Sequence, residues 1–179
     1  MKVSLKNFLT AILAFLVPII STLVLILILF IPRDNSYWNF LRQAPFYAGI
    51  YFWQSQRPDI FTFFSAFILG VLADVFGSTP LGINIISFLV LYMIATQISQ
   101  HFNVKRFSYS WLLFSASTLL TLFFKAAIVS GAYRHFIPLN LLAIEWLLIV
   151  ASYPLFARIY IWTERRYIHL EERYEKVQS

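Results

Sequence analysis

Six stretches dominated by apolar residues, separated by short polar segments, make up most of the chain. A helix that crosses a bilayer needs about 20 apolar residues, with a range of about 17–25, and only the second stretch falls below that range. The pattern therefore predicts an all-α integral membrane protein with six transmembrane helices. The predicted helices cover residues 8–31, 40–54, 60–76, 81–100, 107–131 and 136–162, and a charged tail follows at 163–179.

The second stretch, 40–54, fits this pattern least well. It is short for a span, and Arg42, Gln43, Pro45 and Gly49 interrupt its apolar residues. A short tilted span, a re-entrant segment and a helix lying in the membrane interface are all compatible with it.

The composition agrees with a membrane location. Hydrophobic residues make up 60% of the 179 residues and charged residues 12%, whereas soluble domains average about 45–50% apolar and about 25% charged. The chain has no cysteine, which excludes disulfides and thiolate metal sites. The first apolar run exceeds the core of a cleaved signal peptide, about 7–15 residues, so we expect it to be retained as a helix.

Lysine and arginine residues fall mostly on one side of the predicted membrane. With six spans the termini share a side, which holds ten of the fourteen, against three on the other side, with Lys125 inside a span. Cytoplasmic loops carry such an excess, so we expect both termini to be cytoplasmic. The net charge of +6 is then an orientation signal rather than a sign of nucleic-acid binding. The ten are Lys2, Lys6, Arg57, Lys105, Arg106, Arg158, Arg165, Arg166, Arg173 and Lys176, and the three are Arg33, Arg42 and Arg134.

Small residues form a stripe on the third predicted helix. Ala66, Gly70, Ala73 and Gly77 recur at steps of four, three and four, so they share one face of the helix. In a membrane such a face allows the close approach of another helix.

Asp74 borders this stripe, just before the turn that leads to Pro80, Leu81 and Gly82. A carboxylate within or beside a bilayer is a candidate functional group. Three roles are open for it: capping the turn by accepting backbone N–H groups around Gly77–Thr79, binding a partner or ligand, or carrying a proton. Proton relays use several acidic or histidine groups in series, and here such groups are dispersed.

Lys125 and Glu145 are the ionisable residues inside the last two predicted helices. Those helices form a short hairpin, and at 1.5 Å per residue the two side chains start roughly 9 and 14 Å below the same membrane surface. Because an unpaired charge in hydrocarbon is costly, we expect Lys125 and Glu145 to form an ion pair inside the bundle. The alternative is that Lys125 extends to the interface and Glu145 is neutral or paired elsewhere.

The remaining chemistry-bearing residues do not form a motif. His101, His135 and His169 fall in three separate polar segments without ligand spacing, so we expect no metal site. Hydrolase, phosphate-loop and dinucleotide motifs are absent from the sequence. We therefore expect no enzymatic activity and no cofactor.

The tail contains apolar residues at helical spacing. These are Tyr167, Leu170, Tyr174 and Val177, and charged residues flank them. We expect the sixth helix to continue as a short amphipathic helix that docks on a cytoplasmic partner or on anionic lipid headgroups.

The segment from Trp53 to Gly82 resembles one family. Gly70 and Asp74 end the third predicted helix, Gly77-Ser-Thr-Pro80-Leu81-Gly82 opens the fourth, and Trp53 with Arg57-Pro58 closes the second. With the six short spans, the length and the charged tail, these residues are similar to the rod-shape-determining protein MreD family.

The resemblance implies a non-catalytic scaffold in the bacterial inner membrane. Members of that family associate with MreC and link MreB filaments to the wall synthases RodA and its class B penicillin-binding protein. Their fold resembles the substrate-binding subunits of energy-coupling-factor vitamin transporters. This implies a groove for a partner's transmembrane helix, and the small-residue stripe beside Asp74 suits such a groove.

Two other functions compete with the scaffold. A vitamin transporter's substrate-binding subunit resembles it in fold, but its Ala-x-x-x-Ala surface is replaced here by Ala11 and Ala14, three residues apart. A proton-coupled carrier would depend on Asp74 for transport.

Overall fold

The computed structural model describes the backbone of residues 5–29, 36–77, 80–102, 104, 106–133 and 138–176, and the side chains of 15–29, 41–77, 80–102, 104, 106–132 and 138–166. Within these residues the chain forms six α-helices and no strand. They are α1 (Leu5–Leu29), α2 (Ser36–Gln56), α3 (Phe63–Gly77), α4 (Ile83–His101), α5 (Phe107–Tyr133) and α6 (Leu139–Lys176). The all-helical prediction is confirmed, with one helix for each predicted apolar stretch.

Three of these helices are long and apolar enough to cross a membrane: Ile83–His101, Phe107–Ala132 and Leu139–Arg166. Large apolar side chains, such as those of Leu112, Leu120 and Leu155, point outward from α5 and α6. A soluble protein rarely exposes so much contiguous apolar surface. The protein is therefore a membrane protein.

Helix α2 is the centre of the bundle, where it contacts all five other helices. Residues 44–55 are all buried, and the helix is continuous from Ser36 to Gln56, beyond both bounds of the predicted 40–54 segment. This helix runs unbroken through the protein interior, and its placement relative to the membrane, as a tilted span, a re-entrant segment or an interfacial helix, stays a prediction. Its low hydropathy has a physical reason: it faces protein rather than lipid.

The polar residues of α2 are used in contacts with its neighbours. Gln54 donates from Nε2 to Thr96 Oγ1 on α4 over 2.9 Å, and the Tyr51 hydroxyl donates to the Ser110 carbonyl on α5 over 3.1 Å. Such bonds replace those that water would supply to buried polar groups.

Aromatic rings fill the space around α2. Tyr51 packs edge-on against Phe114 and Tyr153, which stack on each other with ring centres 4.1 Å apart. One turn earlier, Tyr47 packs edge-on against Phe88 of α4 at 5.1 Å. Offset and edge-to-face pairs of this kind contribute beyond their buried area.

Proline in α6 frees a carbonyl group that a tryptophan satisfies. Pro154 has no N–H to donate to the Val150 carbonyl four residues earlier, and Trp111 Nε1 of α5 donates to that oxygen over 3.0 Å. In the opposite direction, Trp146 Nε1 of α6 donates to the Ser115 carbonyl of α5 over 3.0 Å. The two indoles thus join α5 and α6 reciprocally.

A glycine on α2 allows α1 and α6 to meet over it. A Cβ added at Gly49 would lie 2.5 Å from Thr22 Oγ1 and 2.9 Å from Tyr160 Oη. Both hydroxyls are held in place, since Thr22 donates to the Pro18 carbonyl over 2.8 Å and Tyr160 donates to the Pro45 carbonyl over 2.9 Å.

Gly49→Ala tests this close approach. Because neither hydroxyl can move without losing its hydrogen bond, we expect the substitution to lower the free energy of unfolding by about 1–3 kcal/mol, as overpacking does. The measurement is the melting temperature of the detergent-solubilised protein. Gly131→Ala on α5 is the matched control, because no atom of the described residues outside its own stretch of helix lies within 4 Å of the added Cβ. Equal effects of the two substitutions would contradict the prediction.

Candidate functional site

Asp74 joins the end of α3 to the beginning of α4. Its side chain is buried, with 1% of the residue exposed. Oδ2 accepts a hydrogen bond from the Gly82 backbone N–H over 2.8 Å, and Oδ1 accepts one from the Asn84 N–H over 3.0 Å. The carboxylate therefore caps α4 from the neighbouring helix.

Helix α4 needs such a cap because of the residue at its N-cap position. The first N–H groups of a helix have no partner within it, and Gly82 has no side chain to accept from them. Gly82 also has φ of 109°, a conformation that glycine adopts without steric cost. A negative charge at a helix N-terminus is further favoured by the helix dipole.

The predicted capping role of Asp74 is thus present, with donors on α4 that the sequence prediction did not name. The sequence prediction assigned N–H groups around Gly77–Thr79, whereas the described donors, Gly82 and Asn84, belong to α4. Ser78 and Thr79 lie outside the described residues. The donors on α4 were missed because the turn folds the start of this helix, eight and ten residues along the chain, back beside Asp74.

An arginine holds the other side of this connection. Arg42 of α2 donates from Nη2 to the Phe76 carbonyl over 3.0 Å, near the C-terminus of α3. A cation at a helix C-terminus is favoured in the same way as an anion at an N-terminus. Sequence analysis missed this role because Arg42 lies in the segment that fitted a span least well.

The small-residue stripe packs against α4 of the same chain. Ala66, Gly70 and Ala73 are buried, whereas Gly77 is exposed. A Cβ at Gly70 would lie 2.6 Å from the Ile85 Cα. The expectation that this stripe lines a groove for a partner's helix is therefore wrong, because α4 already occupies it.

The turn residues Pro80 and Leu81 lie on the surface. Both are exposed, and Leu81 retains 77% of its accessible area. Together with the exposed Gly77, they are accessible to a membrane or another protein.

Lys125 and Glu145 lie together inside the bundle, as predicted. Lys125 Nζ is 3.7 Å from Glu145 Oε1, and both side chains are 13% exposed. At this distance the two side chains form an ion pair, but the distance is longer than that of a charge-assisted hydrogen bond, about 2.7–2.9 Å. Lys125 Nζ donates instead to Gln43 Oε1 on α2 over 2.7 Å, a third member that sequence analysis did not find.

A second ion pair lies in the connection between α2 and α3. Arg57 Nη2 is 2.9 Å from Asp59 Oδ2, and Nε donates to both carboxylate oxygens. These hydrogen bonds hold the pKa of the Asp59 carboxyl below its usual value. The Asp59 side chain is 57% exposed. The ion pair therefore lies in the loop at the protein surface and is not part of the interior.

Metal-binding geometry is absent from the described residues, where no group of three or more histidine and acidic side chains comes together. His101 contacts its own helix, with Nδ1 2.9 Å from the Gln97 carbonyl oxygen. His135 and the His169 side chain lie outside the described residues. The predicted helical continuation of the tail is confirmed, since α6 runs to Lys176, and its apolar stripe falls on side chains outside the described set.

A small cavity of about 100 Å³ lies between α2, α5 and α6 near Gln56, Ser110 and Glu164. Ligand pockets for drug-sized molecules measure about 300–1,000 Å³. This cavity therefore has room for a few water molecules and none for a vitamin.

No protein-family model matches this chain, and no curated protein or solved structure matches it significantly. The function must accordingly be argued from the chain's own residues and geometry.

Asp74→Asn tests the cap on α4. An amide has one accepting oxygen where the carboxylate has two, so one of the two backbone N–H groups loses its acceptor. We expect a loss of about 1.5–3 kcal/mol, typical of hydrogen bonds to charged groups, measured as a lower melting temperature. Asp59→Asn is the control, because an exposed ion pair contributes about 0–1 kcal/mol. A loss at position 74 no larger than that at position 59 would refute the capping role.

Charge reversal tests the pair in the bundle. Lys125→Glu and Glu145→Lys each place two like charges together inside the protein, so we expect each to reduce the amount of folded protein in the membrane. The double substitution restores opposite charges and should recover much of it. Quantitative immunoblotting of membrane fractions gives the readout. If the double variant is no more abundant than either single variant, the two side chains do not stabilise the protein as a pair.

Proposed function

We propose that the chain is a non-catalytic membrane scaffold of the bacterial cell-elongation machinery, related in function to the MreD family that it resembles. The observation that carries this proposal is the use of Asp74: its carboxylate accepts hydrogen bonds from Gly82 and Asn84. The most distinctive polar stretch of the sequence thus fixes two helices against each other. A group engaged in this way serves helix packing rather than catalysis or proton transfer.

In this proposal all six helices cross the bacterial inner membrane, with both termini in the cytoplasm. Helix α2 crosses in spite of its polarity, because the other five helices cover it. An odd number of spans would place the charged tail outside, against the excess of lysine and arginine on the cytoplasmic side.

The proposed partners are MreC, MreB, RodA and its class B penicillin-binding protein, together with the surrounding lipid. Since α4 fills the small-residue face of α3, a partner's transmembrane helix packs on an outward apolar face instead. Phe64 of α3, Leu120 of α5 and Leu155 of α6 mark three such faces.

Crosslinking in cells tests the proposal and locates the partner. A photoreactive residue is placed singly at Phe64, Leu120 and Leu155, with the fully buried Leu69 as the matched control. We expect a crosslink to MreC, or to one of the two synthases, from at least one exposed position and none from position 69. Depletion of the protein should also convert rods into rounded cells. Rod-shaped cells without the protein, or no crosslink to these partners, would count against the scaffold.

A vitamin transporter's substrate-binding subunit is the second candidate. The observation that favours it is the polar group of Lys125, Glu145 and Gln43 inside the bundle, since substrate sites combine an apolar lining with a few such groups. Native mass spectrometry of the purified protein distinguishes the two: a stoichiometric vitamin supports transport, and copurified MreC supports the scaffold.

A further inference from the structure

The buried polar atoms that have no hydrogen-bond partner among the described residues include Tyr47 Oη, Thr118 Oγ1 and Glu145 Oε1. Tyr47 and Thr118 are both 0% exposed. Most buried polar atoms in proteins have a protein or water partner, so each exception needs an explanation.

We place these three groups in the same region of the bundle from the contacts of their neighbours. Helices α2 and α5 are antiparallel neighbours: Gln43 meets Lys125, and Tyr51 meets Ser110. Tyr47 lies midway between the two α2 residues, and Thr118 lies midway between the two α5 residues. Thr118 is also two turns before Lys125, which places both residues on the same face of α5.

Glu145 of α6 reaches the same region. The next residue, Trp146, donates to the Ser115 carbonyl, and helical side chains lean toward the N-terminus of their helix. The Glu145 carboxylate therefore leans from the level of Ser115 toward Thr118 and Lys125, in agreement with its 3.7 Å separation from Lys125 Nζ. The Glu145 carboxyl group also lies within electrostatic range of the Tyr47 hydroxyl.

We infer that Tyr47, Thr118, Lys125 and Glu145 form a binding site for internal water, with at least one molecule bridging the Glu145 carboxylate to the Tyr47 hydroxyl. Water suits this set of groups because it accepts from hydroxyl and ammonium groups and donates to a carboxylate. A buried water typically makes about three hydrogen bonds, within a range of 2–4, and these four side chains supply them.

The ion-pair geometry agrees with this site. A water bonded to both partners at about 2.8 Å joins atoms 3.7 Å apart through a bent bridge. A metal cation does not fit the same position, because the Lys125 ammonium group would repel it. Gln43 takes one of the three ammonium donors and leaves the others for Glu145 and water.

A double-substitution cycle tests the water site. Tyr47→Phe and Thr118→Val each remove one hydroxyl with little change of shape. If both hydroxyls bind the same water network, each substitution should lower the melting temperature, by about 2–4 °C, and the double variant should lower it by less than the sum. If the hydroxyls are dry, their removal relieves unpaired buried groups, so a higher melting temperature would overturn the proposal.

Thr121→Val is the matched control for the cycle. Thr121 is buried on the same helix, but its hydroxyl donates to the Ser117 carbonyl over 2.8 Å. Its effect should therefore add to that of Tyr47→Phe without coupling. Coupling as large as that between positions 47 and 118, or additive effects at those two positions, would exclude a shared water.

Density in the unsubstituted protein gives a second test that does not depend on the variants' folding. A cryo-electron microscopy map that shows ordered water should contain a peak within hydrogen-bond distance of both Tyr47 Oη and Glu145 Oε1. An empty gap, or density for a larger ligand such as a vitamin, would overturn the assignment to water. The water site can fail while the scaffold stands, since neither the crosslinks nor the cell shape depend on it.

Discussion

The structure depends on the burial of α2, a helix that is too polar to favour lipid and is surrounded by protein on all sides. Each of the other helices contacts it, and several of its polar side chains bond to those neighbours. Gly49 allows α1 and α6 to approach closely, while Tyr51 and Gln54 reach α5 and α4. The outer helices can then direct their apolar side chains outward, because their inner faces pack on α2.

Polar side chains on the other helices also bond to groups on neighbouring helices. In an apolar environment a free carbonyl or N–H group is costly, and at two breaks in the helical hydrogen bonding a side chain supplies the missing partner. Asp74 completes the start of α4, and Trp111 completes the carbonyl that Pro154 leaves free. These repairs come from a different helix in each case, so the same bonds that satisfy the backbone also fix how the helices pack.

Much of the helical framework could be predicted from the sequence, because apolar runs of membrane length have few alternatives to a helix. The meeting of Lys125 and Glu145 could be predicted as well, since both lie on one hairpin at similar depths. The nature of α2 could not, because hydropathy measures the preference for lipid and this helix faces protein. Gln43 and Arg42 were missed because their partners, Lys125 and Phe76, lie on helices that are distant in sequence.

The central position of α2 has a consequence for how the protein is made. A segment of low hydropathy gains little by leaving the translocation channel alone, and α2 is synthesised before four of the five helices that cover it. Helix α6, its most extensive neighbour, begins at Leu139, long after α2 ends at Gln56. In the proposed six-span arrangement, stable integration of the second helix is therefore coupled to the arrival of the last one, which would make membrane insertion a cooperative event and not a series of independent steps.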